Sequence, residues 1–478
     1  MSLAKRTIHG AAWVTLSTVI AKLTDFLTKI LLARLLVPED FGTLAIGLLI
    51  INSMDILKDL GFGNALIYRK KDTDYNDAAN TAFLLIPVTA FTLFIIAYFL
   101  AHKVALFFNN VESEPVIKIL ALTFLISSFG TVPSMLLEKE LEFKRKLVPE
   151  TIPKLGYSLV TIFLAIYGFG VWSLVFGQII SSILSVVLTW MVSDWKPSFK
   201  FSKRMALELF EYGKHVMNAG ILIFIIMNID NVIVGKLLGA ESLGFYMMAF
   251  TISNMPATQI TFLIGRVMFP TYSKLQDDKI ALKKAYIKTL RFVSMLTIPA
   301  SLGILIIAPE FVSVVLKDKW LPAVPAIQIL CIFGLLRSIA ATFGPLYQAT
   351  GKPKILLNFS FLQLTLLTFF ILPLTKNFGI FGTGLATTLS LLIVIFIHFI
   401  EAGKIIDETP ISIFKTLFVP ILNSILMLIG IICLKYIYSI NSFQSFLVSI
   451  FIGIIIYLIL NIFNNKKYLE SIMETINL

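Results

Sequence analysis

Cysteine is nearly absent: Cys331 and Cys433 are the only two in 478 residues, and both sit inside apolar runs. That excludes a disulfide framework and zinc-type spacing. The four histidines, His9, His102, His215 and His398, are scattered along the chain, so neither a metal site nor a cofactor is expected. No Ser/His/Asp or Cys/His grouping stands out as catalytic machinery. Gly351-Lys352 is followed by Pro353, and the glycine that a phosphate-cradling loop needs five positions earlier is Leu346, so ATP is not the direct motor. Asp72-Thr73-Asp74 imitates a metal–diphosphate motif, but it stands alone in a short charged turn and reads as a solvated loop. Charge is scarce as well, at 14% of residues.

What remains is apolar: 57% of residues are hydrophobic and the mean hydropathy is +0.89. A soluble multidomain protein does not tolerate that composition, so an all-α polytopic membrane protein is expected. Apolar stretches bounded by polar or Pro/Gly-containing turns give about fourteen spans, near 11–36, 41–66, 79–101, 116–137, 151–168, 171–192, 214–238, 243–265, 289–308, 323–345, 355–374, 379–400, 411–434 and 443–463. Lys5 and Arg6 precede the first run, which lacks a small-residue cleavage site and is expected to stay as a helix. With the N-terminus in the cytoplasm, most of the 40 basic residues fall in inner loops, which predicts both termini inside. The same bias accounts for the net charge of +12, so nucleic acid is not an expected partner. Trp13, Trp172, Trp190, Trp195 and Trp320 fall at or near span ends, where the indole prefers headgroup depth. The inner connections 193–213 and 266–288 are basic and amphipathic and suit an anionic membrane surface.

Ala33-Arg-Leu-Leu-Val-Pro-Glu-Asp-Phe-Gly42 matches Gly235-Lys-Leu-Leu-Gly-Ala-Glu-Ser-Leu-Gly244 at an offset of 202, and Phe169-Gly170 matches Phe378-Gly379 at an offset of 209. These pairs predict a duplicated six-helix unit: an N-lobe over 1–200, a C-lobe over 201–405, a central cavity between the pseudo-symmetric lobes, and two further helices over 406–478. Pro87 and Pro299 fall inside equivalent spans of the two halves; each frees a backbone carbonyl and is either a static kink or a hinge.

Several charges lie where lipid is expected. Lys22 is about 17 Å from the start of the first span by helical rise, too deep for its stem to reach the surface. Each such charge costs on the order of 3 kcal/mol and normally faces water or an opposite charge. Thr18, Lys22, Asp25 and Lys29 share one face of span 1; Asn52, Asp55 and Asp59 share a face of span 2, with Lys58 turned aside. Lys22 and Asp55 either pair with each other or serve a ligand. Span 7 contributes Asn228, Asp230 and Asn231, and span 10 carries Arg337, whose planar donors suit a phosphate oxygen. Lys154, Arg266 and Arg291 lie near the inner mouth.

Asp40-Phe-Gly42, Asp59-Leu-Gly-Phe-Gly63 with Ala65-Leu-Ile67, Leu137-Glu-Lys-Glu-Leu-Glu-Phe-Lys144, Gly170-Val-Trp-Ser-Leu-Val-Phe-Gly-Gln178, Asp230-Asn-Val-Ile-Val-Gly-Lys-Leu-Leu-Gly239, Phe269-Pro-Thr-Tyr-Ser-Lys274 and Tyr347-Gln-Ala-Thr-Gly-Lys352 are motifs of one family. Over residues 3 to 400 the chain resembles the Wzx-type lipid-linked oligosaccharide flippases of the multidrug/oligosaccharidyl-lipid/polysaccharide exporter superfamily. The resemblance implies a transporter, not an enzyme, that moves undecaprenyl-diphosphate-linked oligosaccharide across the bacterial inner membrane by alternating access, driven by an ion gradient or the membrane potential. It implies as partners the lipid-linked oligosaccharide, the membrane, a coupling H+ or Na+, and the polysaccharide polymerase machinery. Lys22, Lys29, Arg291 and Arg337 are the diphosphate candidates, and Asp25, Asp55 and Asp230 the coupling candidates. A cation-coupled small-molecule exporter of the same fold and a membrane enzyme are the competing readings.

Overall fold

Backbone N–H and C=O groups at membrane depth have no water to bond, so a chain this apolar must satisfy them within helices. The computed structural model describes residues 22, 24–69, 74–140, 142–437 and 442–464, without the side chains of 143, 219, 259–263, 265 and 266. Lys5, Arg6, Trp13, Thr18, the first two residues of the Asp72-Thr73-Asp74 motif and the Arg266 side chain lie outside these. Among the described residues the secondary structure is helical throughout.

Tertiary contacts divide the chain into two units, Met1–Gly244 and Phe245–Leu478. The first holds α1 (24–35), α2 (Pro38–Lys58), α3 (Phe62–Tyr68), α4 (Tyr75–Phe108), α5 (Ser113–Leu120), α6 (Leu122–Lys139), α7 (Phe143–Ile166), α8 (Val171–Val192) and most of α9 (Lys203–Ser253). The second holds the end of α9 and then α10 (Met255–Leu275), α11 (Lys279–Phe311), α12 (Val324–Ala340), α13 (Phe343–Ala349), α14 (Lys354–Ile406), α15 (Pro410–Ile437) and α16 (Phe443–Asn464).

Ten helices among the described residues are long and apolar enough to cross a membrane. The difference from the fourteen expected spans has physical sources. Helices α9 and α14 are each two segments joined at a glycine with non-helical backbone, Gly239 and Gly379. Helix α7 carries Lys144, Arg145, Lys146, Glu150 and Lys154, and much of the first span lies outside the described residues.

The sequence repeat has a structural counterpart. Gly170 (φ 52°, ψ −134°) and Gly379 (φ 57°, ψ −141°) adopt the same backbone conformation, one that requires glycine. At the other repeated motif the contact is reciprocal. A Cβ on Gly42 would lie 1.7 Å from the Ala240 carbonyl oxygen, and one on Gly244 would lie 1.9 Å from the Pro38 carbonyl oxygen. Pro38 and Ala240 are themselves equivalent at the offset of 202, so the two copies of the motif clasp each other as a self-complementary pair.

In the first unit α4 presents Ala78, Ala79, Ala82, Ala90, Ala97 and Ala101, all buried, so neighbouring backbones approach closely. Phe83 meets Trp190 and Trp195 edge-on at 5.8 and 5.7 Å. In the second unit Trp320 is fully buried against Phe245. Its place near a span end therefore reflects core packing, not the headgroup preference expected from sequence.

Proline shapes both units. A proline has no N–H for the carbonyl four residues earlier, and in lipid that carbonyl needs another donor. Pro133 frees Phe129 C=O, which accepts from Trp190 Nε1 at 3.0 Å; Pro153 frees Pro149 C=O, which accepts from Ser185 Oγ at 3.4 Å. Pro299 frees Met295 C=O, which accepts from Tyr457 Oη at 2.8 Å; Pro309 frees Leu305 C=O, 3.4 Å from Gln328 Nε2. Pro87 and Pro299, the two hinge candidates, lie inside the unbroken helices α4 and α11.

Candidate functional site

A cavity of about 940 Å³ opens within the first unit, between α2, α6, α7, α8 and the first half of α9. It falls in the size range of ligand sites. Its walls are built by helical spacing. Ser127, Thr131 and Ser134 recur on one face of α6, while Ser181, Ser182, Ser185 and Thr189 recur on α8. Most of these hydroxyls satisfy their donor on their own helix: Thr131 bonds Ser127 C=O at 3.1 Å, Ser182 bonds Gln178 C=O at 3.0 Å and Thr189 bonds Ser185 C=O at 2.7 Å. The oxygens keep lone pairs for a ligand, so the stripes are stable empty and adhesive when filled.

The charged part of the wall starts at α2. Lys58 Nζ lies 2.7 Å from Asp55 Oδ1 and donates to Ser127 Oγ at 2.9 Å. The Lys58 side chain is 8% exposed and that of Asp55 55%, so the ammonium sits behind the carboxylate. This corrects the sequence expectation that Lys58 is turned aside: with Ser127 as a second partner, the lysine turns into the wall. Asp55 thus has an ion-pair partner three residues away on its own helix. Lys22, the partner considered from sequence, is electrostatically coupled to Lys154, which lines the cavity. Glu150 lines it too, 3.5 Å from Lys146.

The Asp59-Leu-Gly-Phe-Gly63 motif forms the turn below this wall. Leu60 (φ 50°) and Gly61 (φ 73°) are left-handed, and both Asp59 carboxylate oxygens accept from Gly63 N–H, at 3.0 and 3.2 Å. A Cβ on Gly61 would lie 2.4 Å from Gly213 C=O of α9, so glycine is needed there twice over. Nearby, Lys139 Nζ donates to Leu66 C=O at 2.8 Å and sits 3.9 Å from the centre of the Tyr75 ring. That motif lysine holds α3 in place.

The other sequence candidates are distributed. On α1, Lys29 pairs with Asp25 at 3.0 Å, both side chains partly exposed, and the buried Thr28 Oγ1 donates to Ser158 Oγ of α7 at 2.8 Å. Asp230 is buried on α9, ten residues beyond the cavity-lining Gly220, and accepts from Asn231 N–H at 2.8 Å. Arg291 on α11 and Arg337 on α12 belong to the second unit, where Arg337 donates to Asn254 Oδ1 at 3.4 Å. The geometry therefore joins Asp55 to the cavity wall; Asp25 and Lys29 pair with each other on α1, Asp230 lies on α9, and Arg291 and Arg337 lie on α11 and α12. Sequence reasoning missed the hydroxyl stripes and Lys58. The stripes were visible as Ser/Thr at spacings of three and four within apolar spans.

A multi-pass membrane protein, helical throughout its described residues, with a hydroxyl-lined cavity between helices long and apolar enough to cross a membrane, is the class that fold and site define. Residues 31–325, more than half of the chain, match the family described as polysaccharide biosynthesis protein, and the chain belongs to that family. It is 29% identical to an uncharacterized membrane protein in the cps region of Klebsiella pneumoniae, over 99% of this chain and 98% of that one. It is 28% identical to the lipopolysaccharide biosynthesis protein WzxC of Escherichia coli (strain K12), over 82% of this chain and 79% of that one. In fold it is similar to the lipid II flippase MurJ in an inward closed conformation, with a TM-score of 0.76, 17% identity, and coverage of 95% of this chain and 99% of that one.

Proposed function

We propose that this protein is a flippase of polysaccharide assembly: it carries a lipid-linked oligosaccharide, built on undecaprenyl diphosphate, from the cytoplasmic to the outer leaflet of the bacterial inner membrane. The observation that carries the reading is the cavity itself. A space of about 940 Å³ walled by serine and threonine hydroxyls on apolar helices suits a ligand that is itself rich in hydroxyls, and the family is one of polysaccharide biosynthesis. A sugar headgroup entering there exchanges water for hydroxyl partners of the same kind, while the polyprenyl chain stays in lipid.

In this reading the protein is a transporter without enzymatic chemistry, its termini are cytoplasmic, and access to the cavity alternates between the two sides. Lys22, Lys29, Arg291 and Arg337 supply positive charge for the diphosphate, and Asp25, Asp55 and Asp230 are the positions where a proton or Na+ would couple transport to a gradient. Of these, Asp55 has the best geometry: its carboxylate is half exposed to the cavity, with Lys58 behind it to release when a cation binds.

The test is reconstitution. Labelled undecaprenyl-diphosphate oligosaccharide placed in one leaflet of a proteoliposome becomes accessible from the other at a protein-dependent rate. Lys22→Met and Arg337→Met abolish that transfer while leaving insertion intact; normal transfer in both variants overturns the diphosphate assignment. Efflux of small organic cations without glycan transfer favours the small-molecule exporter instead.

A further inference from the structure

Helix α11 is gripped on its backbone by side chains from three other helices. Pro299 has no N–H to give Met295 C=O, and that oxygen accepts instead from Tyr457 Oη of α16 at 2.8 Å. Leu305 C=O, freed in the same way by Pro309, lies 3.4 Å from Gln328 Nε2 of α12. The next carbonyl, Ile306, accepts from Lys435 Nζ of α15, which also pairs with Glu310 at 2.7 Å. Two of these three donors come from the helices that lie outside the sequence repeat. Those helices are tied to each other through side-chain amides, two of them buried: Asn464 Nδ2 to Asn423 Oδ1 at 2.7 Å, Asn423 Nδ2 to Asn461 Oδ1 at 3.3 Å, and Asn461 Nδ2 to Tyr457 C=O at 3.2 Å. The last bond fixes the backbone of the very residue whose hydroxyl reaches α11. In the first unit Pro87 frees Phe83 C=O, and no side chain among the described residues donates to it.

We infer that α15 and α16 form a brace that holds α11 in place where its prolines interrupt its own hydrogen bonding, with Tyr457 as the positioning residue that supplies the hydrogen bond Pro299 withholds. A tyrosine hydroxyl is well chosen for this. It reaches across an interhelical gap on a rigid ring, is 8% exposed as a residue, and would be costly to leave unpaired in an apolar setting. Arg291 lies eight residues before Pro299 on the same helix, so the brace also sets where that guanidinium is held relative to the rest of the second unit.

This role is separable from ordinary packing because the proline can be removed. Full-length protein in lipid nanodiscs is compared by amide hydrogen exchange across 292–306 for wild type, Tyr457→Phe, Pro299→Ala and the double variant. Tyr457→Phe removes one oxygen and raises exchange in that stretch by about fivefold or more, the loss expected for one buried hydrogen bond. In the Pro299→Ala background the backbone N–H gained at that position serves Met295 C=O, and the same Tyr457→Phe change leaves exchange within about twofold of its parent. An unchanged rate in Tyr457→Phe, or an equal rise with and without the proline, overturns the inference. If Pro299→Ala fails to assemble, Pro299→Leu restores the N–H with more bulk to fill the groove, and the same two outcomes decide. Exchange is read without substrate, so the result stands or falls independently of what the protein carries.

Discussion

The two units use their buried polar side chains in opposite ways. In the first, hydroxyls on α6 and α8 and the Asp55–Lys58 pair face a cavity and keep bonding capacity in reserve. In the second, comparable groups are spent on other protein groups: Tyr347 Oη meets His398 Nδ1 at 3.0 Å, Phe343 stacks on the same imidazole at 4.8 Å, and Lys435 closes on Glu310. A polar residue inside an apolar span is thus no indication of a ligand until its surroundings are known. One unit is built to receive, the other to hold itself in shape.

The sharpest way to break this comparison is at the clasp that the repeats share. Gly42→Val or Gly244→Val drives a side chain into a backbone carbonyl that cannot swing aside, and folded protein is lost from size-exclusion chromatography in both variants. Next in size is the contrast between two lysines. Lys58→Met lowers glycan transfer by tenfold or more (on the order of one to two kcal/mol of lost binding contacts) with the protein still folded. Lys435→Met, which acts on transfer only through the brace, lowers transfer by less than Lys58→Met does and chiefly lowers stability, by about 1–3 kcal/mol, read as a fall in melting temperature. A smaller effect is expected from the hydroxyls. Combined Ser181→Ala and Ser182→Ala slows transfer by about threefold to tenfold, whereas Ser445→Ala with Ser449→Ala, on α16, does not change the rate.

The smallest effect lies at the loop between α14 and α15. A hydrogen bond from Lys283 holds the Glu408 carboxyl below its ordinary value of 4.5. A depressed folded value means that the stabilisation is present above about pH 4.5 and is lost as the pH falls through the lower folded value. Glu408→Gln flattens that part of a melting-temperature profile, and the shift is small because the pair is solvated.

Much of the architecture was legible because length and apolarity suffice to define spans, and because the repeated Phe-Gly pairs mark backbone that only glycine adopts. The Asp59 to Gly63 motif was expected inside one continuous span over 41–66, but the chain turns there at Leu60 and Gly61, where the Asp59 carboxylate accepts from Gly63 N–H. The site was harder to read. In a soluble helix the polar face points to water, but here the lipid face and the packed face are both apolar, so periodicity does not say which way a lysine turns. Lys58 was placed wrongly for that reason: only the position of Ser127, on another helix, decides its direction. The brace was illegible for a different reason. Pro299 announces an unsatisfied carbonyl, yet its donor, Tyr457, lies far along the chain in a segment outside the repeat.

The glycine clasp carries one further consequence. Each copy of the motif contains both halves of the contact, the bare Cα and the carbonyl that rests on it. A protein made of a single copy would therefore possess a surface fitted to its own twin, and linking two copies in one polypeptide would free them from having to remain alike.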